Sequence, residues 1–338
     1  MVKEKIPGDK SMLKHYVLMI FRSFLRFKNT FLINLTGLST GLACVLFIYL
    51  WVNDELNFDK FHEKDAQLYQ VMANHNNADR IITMESTPDL LAETFAEEIP
   101  EVEYAAAVLP ANLIGRFVLA DKEKKLKAAG QFAGKDFFNI FSYKLIHGSK
   151  NNVLSGKSSI VISQRLALKI FHTTENIIGK TLEWQLLGIG EPVVISGVFQ
   201  NPPSNSSAQF DFVLPFEAWK DFSYKVGRFI SWDNHAPYAY MVLKNGTDVE
   251  QFNNKIAGFI KSKYEASTVT LFTRKYCDGY LYSKYENGMQ SGGRIEYIKI
   301  FSLVALFILV IACINFMNLS TAKAGCRLKE VGIKKAIG

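Results

Sequence analysis

Two apolar runs, Phe31 to Val52 and Ile300 to Leu319, bracket a long stretch in which hydrophobic residues recur at the shorter spacings of strands and surface helices. The runs hold 22 and 20 residues without a charge. At a rise of 1.5 Å per residue each makes a helix about 30 Å long, the thickness of a bilayer's hydrocarbon core. A soluble core helix of that length would carry charges along one face. The pattern predicts transmembrane helices at 31–52 and 297–319, with Trp51 and Tyr297 as interfacial anchors. A domain at 53–296 lies between them, and short polar segments at 1–30 and 320–338 lie outside.

Within the central stretch the pattern predicts an α+β domain. Gln67 to Met72 reads as a strand, Pro88 to Glu98 as a helix opening after Ser86 and Thr87, and Tyr104 to Leu109 as a strand. The same order returns at Tyr238 to Leu243, a helix from Asp248 to Tyr264, and Thr268 to Phe272. Asn245-Gly246 ends the first of these strands, and Thr247 or Asp248 can cap the helix by accepting its free N–H groups. Two β-α-β units on either side of an intervening segment predict a split βαβ lobe. The segment at about 111–215 is richer in strands: Arg116 to Ala120, Leu126 to Phe132, Ser159 to Ser163, Thr181 to Leu186 and Pro192 to Phe199, with a helix at Gln164 to Phe171. Asn201-Pro202-Pro203-Ser204 breaks that pattern, and Phe210 to Pro215 returns the chain, so this segment reads as an inserted β-rich lobe.

Charge orients the layout. The net charge is +7, yet residues 1–29 hold seven Lys/Arg against two acids and residues 320–338 hold five against one, which leaves the remainder slightly acidic. A basic surface for nucleic acid is thereby excluded. Lys14, Arg22, Arg26 and Lys28 precede the first run, Lys323, Arg327, Lys329, Lys334 and Lys335 follow the second, and Asp54, Glu55 and Asp59 lie just beyond the first. Basic flanks mark the cytoplasmic side, so both termini are expected in the cytoplasm and the domain outside. The first run exceeds a signal peptide's apolar core, and no A-x-A-like site follows it, so an uncleaved anchor is expected. Gly41-Leu42-Ala43-Cys44 only partly matches a lipoprotein box, because the cysteine lies mid-run. From Met12 to Phe27, apolar residues at helical spacing oppose His15, Arg22 and Arg26. Such a helix suits either the cytoplasmic membrane interface or the surface of a partner protein. Gly37 and Gly41 form a G-x-x-x-G that lets another helix approach closely.

Little in the chain carries chemistry. Cys44 and Cys313 lie in the runs, Cys326 in the tail, and Cys277 alone outside, so no disulfide framework or metal spacing exists. Cys277 is expected to react with an impermeant thiol reagent, and Cys326 only after lysis. Ser155-Gly156-Lys157-Ser158 looks like the end of a phosphate-binding loop, but Asn151 stands where its first glycine belongs, and a strand follows where a helix should open. None of the six histidines has zinc spacing, and His62 among Asp59, Glu63 and Asp65 reads as a solvated face. There is no G-x-S-x-G elbow. Neither an enzyme nor a cofactor is expected.

The tail reads Arg327-Leu328-Lys329-Glu330-Val331-Gly332-Ile333-Lys334-Lys335-Ala336-Ile337-Gly338. It resembles the stalk after the first external domain of FtsX-like, MacB-type ABC transporter permeases, where an R-x-x-E-[IV]-G-[IV]-[RK]-[RK]-A-[IL]-G run is typical. Here the arginine stands three places before Glu330. Ile160 to Ala167 continuing to Ile178-Gly179-Lys180-Thr181-Leu182, Val194 to Val198 followed by Asn201-Pro202-Pro203-Ser204-Asn205-Ser206, and Asn57-Phe58-Asp59-Lys60-Phe61-His62 are similar to further stretches of that family. Their order spans roughly residues 12 to 338.

The resemblance implies a permease subunit that couples ATP hydrolysis by a separate cytoplasmic ATPase to movement of its external domain, for export or mechanotransmission. The coupling residues would be Arg327, Lys329, Glu330, Val331, Gly332, Ile333, Lys334 and Lys335. Implied partners are the ABC ATPase, a second copy or second permease half, membrane lipid, and a periplasmic adaptor or lipoprotein substrate. The chain stops inside the motif, which reads as the N-terminal part of a longer permease. A two-span sensory receptor with an external ligand-binding domain is the alternative.

Overall fold

The structure, a computed structural model, describes residues 28–77, 79–121 and 124–337. The amphipathic segment Met12 to Phe27 lies outside the described residues. The described residues fall into two compact units: 28–54 together with 296–337, and 55–295.

The first unit is built on helices Lys28–Leu56 and Ile295–Ile337. Both are long and apolar enough to cross a membrane, with mean hydropathy 1.9 over Leu32–Leu56 and 2.8 over Ile295–Asn318. Their apolar side chains face outward: Phe47 is 71% and Ile311 65% exposed, a surface that water would not tolerate but lipid would. The two helices touch where the Trp51 ring meets Phe301 edge-on, 5.1 Å between centroids. The second helix runs unbroken for 43 residues, about 65 Å at helical rise. It passes through Gly325 and Gly332 without interruption, because each glycine costs a helix only about 1 kcal/mol.

The second unit is an α+β domain. Its strands are β1 (Leu68–Asn77), β2 (Arg80–Met84), β3 (Ser86–Pro88), β4 (Val102–Leu109), β5 (Arg116–Asp121), β6 (Lys124–Ala133), β7 (Leu145–His147) and β8 (Ser159–Ser163). They continue with β9 (Thr181–Leu186), β10 (Ile189–Phe199), β11 (Phe212–Pro215), β12 (His235–Leu243), β13 (Val269–Lys275), β14 (Lys284–Glu286) and β15 (Met289–Gly292). In the order β4-β12-β1-β13 every neighbour is antiparallel. The two strands of each β-α-β unit are thus parallel to each other but separated by a strand of the other unit, the split βαβ arrangement. Helices Leu91–Glu98 and Phe259–Lys263 pack together, with Phe95 and Phe259 in an edge-to-face pair at 4.9 Å.

The inserted lobe supplies the order β11-β8-β10-β9-β5-β6. It joins the first lobe through β6 and β4 at only two residue pairs, Val108↔Ala133 and Leu109↔Phe132. One sheet of 13 strands therefore runs through both lobes across a narrow seam. Phe117, Phe132, Trp184 and Phe212 form an edge-to-face aromatic core on one side of it. Phe137, Phe141, Tyr143, Phe199 and Phe210 belong to a second core. Helix Gln164–Phe171 starts where predicted because the Ser163 hydroxyl accepts from the Leu166 N–H.

Several boundaries differ from the sequence expectation. The expected helix from Pro88 begins only at Leu91, since Ser86 to Pro88 is held as strand against β12. There the buried Thr87 hydroxyl donates to the Pro237 carbonyl at 3.1 Å. The helix expected over Asp248 to Tyr264 is two helices, Val249–Ile256 and Phe259–Lys263. The Asp248 carboxylate caps the first, and the Ala257 carbonyl accepts the Leu271 N–H of β13, which stops helical pairing ahead of Gly258. The β1–β2 hairpin and the β14–β15 hairpin were not anticipated. The second turns on Asn287-Gly288, both at positive φ (49° and 80°), a tight-turn signature that the sequence carried.

Candidate functional site

The residues singled out in the sequence fall into three places. All eight tail candidates lie on the backbone of helix Ile295–Ile337. The side chains of Arg327, Lys329, Glu330 and Lys334 lie outside the described residues. Val331 and Ile333 are exposed at 61% and 59%, and a Cβ added at Gly332 would meet nothing within 4 Å. In the first span Gly37 and Gly41 face the second helix: an added Cβ would stand 2.9 Å from Asn315 Nδ2 and 3.0 Å from Ala312 Cβ, respectively.

The third place is a buried knot that ties two sequence motifs together. Asp59 adopts a left-handed backbone, φ 59°. Its N–H donates to the Asn205 carbonyl at 2.9 Å, and its carboxylate accepts the Ser207 N–H at 2.8 Å. The Asn205 amide donates back to the Asn57 carbonyl. Asn57 to His62 is thus stitched to Asn205 to Ser207. His62 is no solvated face: it is 4% exposed and ringed by Phe61, Phe141, Tyr143 and Tyr276. Its Nδ1 accepts the Ser142 N–H at 3.1 Å. Burial pushes the imidazole pKa down to about 4, so the ring is neutral. Burial likewise raises the Asp59 carboxyl against the pull of its bonds to Ser207.

Beside the knot lies a cavity of about 760 Å³, bounded by both lobes of the domain. Among its lining residues is Arg274 on β13, 7% exposed and directly opposite Gln70 on β1. Arg274 Nη2 donates to Gln70 Oε1 at 2.6 Å and to Glu85 at 2.7 Å. Tyr238, beside Glu85, has its phenol pushed up to about 12, first by burial and then by that carboxylate. Asp59, Arg116 and Arg294 also line the cavity. Arg294 is committed elsewhere, gripping Glu55 with two hydrogen bonds at 3.0 and 3.1 Å while its guanidinium lies 4.6 Å from the Tyr280 ring centre. None of this had a local sequence signal: Gln70 and Arg274 are 204 residues apart.

Other sequence candidates are settled by their surroundings. Lys157 of the Ser-Gly-Lys-Ser loop pairs with Asp221 at 2.9 Å, and β8 follows directly. Among the described residues no group of three His, Cys, Asp or Glu side chains could hold a metal. Cys277, expected to be reachable from outside, is buried, and its thiol is pushed up to about 11 by burial and by the nearby Asp65.

These features define an α+β domain flanked in the chain by two helices long and apolar enough to cross a membrane. Residues 31–259 match the family model of the MacB-like periplasmic core domain, and the chain belongs to that family. It is therefore of the ABC transporter permease type; members of that family are transporter components rather than enzymes, and permeases of this kind work with a cytoplasmic ABC ATPase. A crystal structure of a domain described as part of a permease from Porphyromonas gingivalis is 21% identical, covers 64% of this chain and 93% of its own, and superposes with a TM-score of 0.51. The periplasmic region of MacB from Actinobacillus actinomycetemcomitans is 13% identical, covering 62% of this chain and 89% of its own, with a TM-score of 0.43. The extracellular domain of the noncanonic ABC-type transporter YknZ from Gram-positive bacteria is 14% identical, covering 61% and 99%, with a TM-score of 0.43. At such identities the likeness concerns the fold alone. No curated protein matches the chain. Two apolar helices flanking a MacB-like periplasmic domain accord with a place in the inner membrane.

Proposed function

We propose that the chain is the part of an ABC permease that carries ATP-driven motion from a separate cytoplasmic ATPase to an extracytoplasmic domain, for export or mechanotransmission. The observation that carries this reading is the single 43-residue helix Ile295–Ile337. A bilayer uses about 20 residues of such a helix, and the remainder extends the same rigid element through the tail bearing Arg327 to Lys335. A helix without a break transmits displacement rather than absorbing it. In this reading both termini are cytoplasmic, the permease acts as a dimer or with a second permease half, and an adaptor or lipoprotein meets the external domain.

Coupling is tested on the complete permease by copurification with its ATPase. Wild type is expected to retain the ATPase, and Glu330→Lys and Gly332→Trp to retain less than a tenth as much. Equal retention by both variants would remove the coupling role. Orientation needs an introduced thiol because Cys277 is buried. Lys150→Cys, at an exposed loop position, should react with an impermeant maleimide in cells with a permeabilised outer membrane, while Cys326 reacts only after lysis. The reverse order would invert the topology.

A further inference from the structure

Strand β11 is short, and the inserted lobe's sheet has a gap where it ends. It lies parallel to β6 only from Phe212↔Gly130 to Pro215↔Ala133. One residue earlier Asp211 closes the contact: its N–H donates to the Ala129 carbonyl at 2.7 Å, and its carboxylate accepts the Ala129 N–H at 3.0 Å. Before Asp211 the chain is no longer strand. The other side of β6 is taken by β5, in unbroken register from Arg116↔Ala129 to Asp121↔Lys124. Among the described residues no strand pairs with 124–128 of β6 on the β11 side. Backbone groups alternate between the two edges of a strand, and those of Ala129 face β11. The N–H and C=O of Lys127 and Lys125 therefore face the gap.

The gap forms a slot of about 400 Å³. One wall is the β6 edge at Leu126, Lys127 and Ala129, and the facing wall is helix Gln164–Phe171 at Arg165, Leu166 and Lys169. Four of the lining residues, Arg116, Lys127, Arg165 and Lys169, are cations, against a single carboxylate, Asp211. Arg165 pairs with Asp211 at 2.7 Å. Arg116, Lys127 and Lys169 are exposed and have no carboxylate partner among the described residues. Arg116 and Lys127 stand on one face of the sheet, whereas the helix packs on the other, with Phe117 and Ala128. Cations thus flank the slot from both faces, in a stretch of chain that is slightly acidic as a whole.

We propose that this slot takes an acidic, extended segment of a partner protein, added to β6 as a further strand. The open edge offers both donors and acceptors, the N–H and C=O groups of Lys125 and Lys127. A peptide backbone answers both, whereas an ionised phosphate or a lipid headgroup phosphate answers only the donors. Side chains of an added strand point alternately to the two faces of the sheet. Acids along it would meet Arg116 and Lys127 on one face and Lys169 on the other. Main-chain bonds give such a contact its affinity, and the cations select an acidic sequence. Lysines on an exposed edge also repel stray strands, so the charges that admit an acidic segment turn a basic one away.

The test uses the full chain in phosphatidylcholine nanodiscs and needs no ATPase, so failure of the coupling role would leave it untouched. The probe is a fluorescein-labelled peptide of alternating Thr and Glu, followed by anisotropy at low salt. Saturable binding is expected, weakened about tenfold by Lys127→Glu and by Lys169→Glu, each of which sets like charge against the peptide's acids. Both side chains are exposed, so neither variant should move the melting temperature. Lys261→Glu, on helix Phe259–Lys263 of the split lobe, makes the same change in net charge and should bind as wild type does. The same peptide N-methylated at every residue keeps its charge but has no N–H for the edge, and should bind about tenfold more weakly. Equal binding of the methylated peptide would reduce the slot to a general anion surface and overturn the proposal. So would absence of saturable binding, or equal binding by wild type and both slot variants.

Discussion

Gly130→Val is expected to leave the chain unable to fold into a stable domain. Gly130 lies on β6 directly beside Phe212 of the parallel neighbour β11. A Cβ there would fall within the Phe212 ring, closer than carbon atoms can approach. The ring has nowhere to go, because Phe212 is fully buried and packs edge-on against Phe117 at 5.1 Å. Phe117 in turn contacts Phe132 and Trp184. Overpacking of this kind costs about 3 kcal/mol or more where the core cannot shift, against a total stability of about 5–15 kcal/mol for a typical domain. The milder Gly130→Ala should lower the melting temperature of the detergent-solubilised chain markedly. Adding Phe212→Leu should restore part of the loss, since the two changes share one volume and cannot be additive. A Gly130→Ala melting curve that overlays wild type would show that the glycine is not reserved for the ring.

The second large effect is expected with pH. The His62 imidazole has a folded pKa of about 4 against an ordinary 6.5, through burial. The unfolded chain therefore takes up this proton first as pH falls. The neutral ring's contribution is fully present above pH 6.5 and is lost progressively down to about pH 4, an order of about 3 kcal/mol across that window. His75 and His235, whose rings lie 5.0 Å apart, are also pushed down by burial and add to the loss with the same sign. Asp59 and Asp89 are pushed up by burial and oppose it at the acid end. In His62→Asn the side-chain carbonyl can still accept the Ser142 N–H, yet nothing titrates. That variant should be less stable at pH 7.5, having lost its aromatic contacts, but its melting temperature should fall less steeply between pH 6.5 and 4.5. An unchanged slope would mean that another group controls acid sensitivity.

Legibility in the sequence followed the range of the interaction. The apolar runs were visible because a bilayer demands about 20 consecutive residues, and no tertiary context can disguise that. The split βαβ lobe could be read from alternating strands and helices, and Ser163 and Asp248 announced their helices through local capping. The expectation failed where a distant partner decided the outcome. Ser86 to Pro88 became strand because β12 lies beside it, and the helix after Asp248 broke where Ala257 bonds to β13. His62 and Cys277 looked accessible because their sequence neighbours are polar, whereas their spatial neighbours are aromatic rings and buried backbone. The Arg274 environment was invisible for the same reason: Gln70 and Arg274 belong to distant segments that only the pairing of β1 with β13 brings together.

The ion pair between Glu55 and Arg294 bears on how such proteins can be recombined. These two residues stand at the first and last positions but one of the domain unit, and their grip closes 240 residues of chain into one loop with a single doorway. A unit whose entry and exit meet at one point can be removed or exchanged without rethreading the rest. The domain is in that sense a cassette, and its border is marked by a carboxylate and a guanidinium.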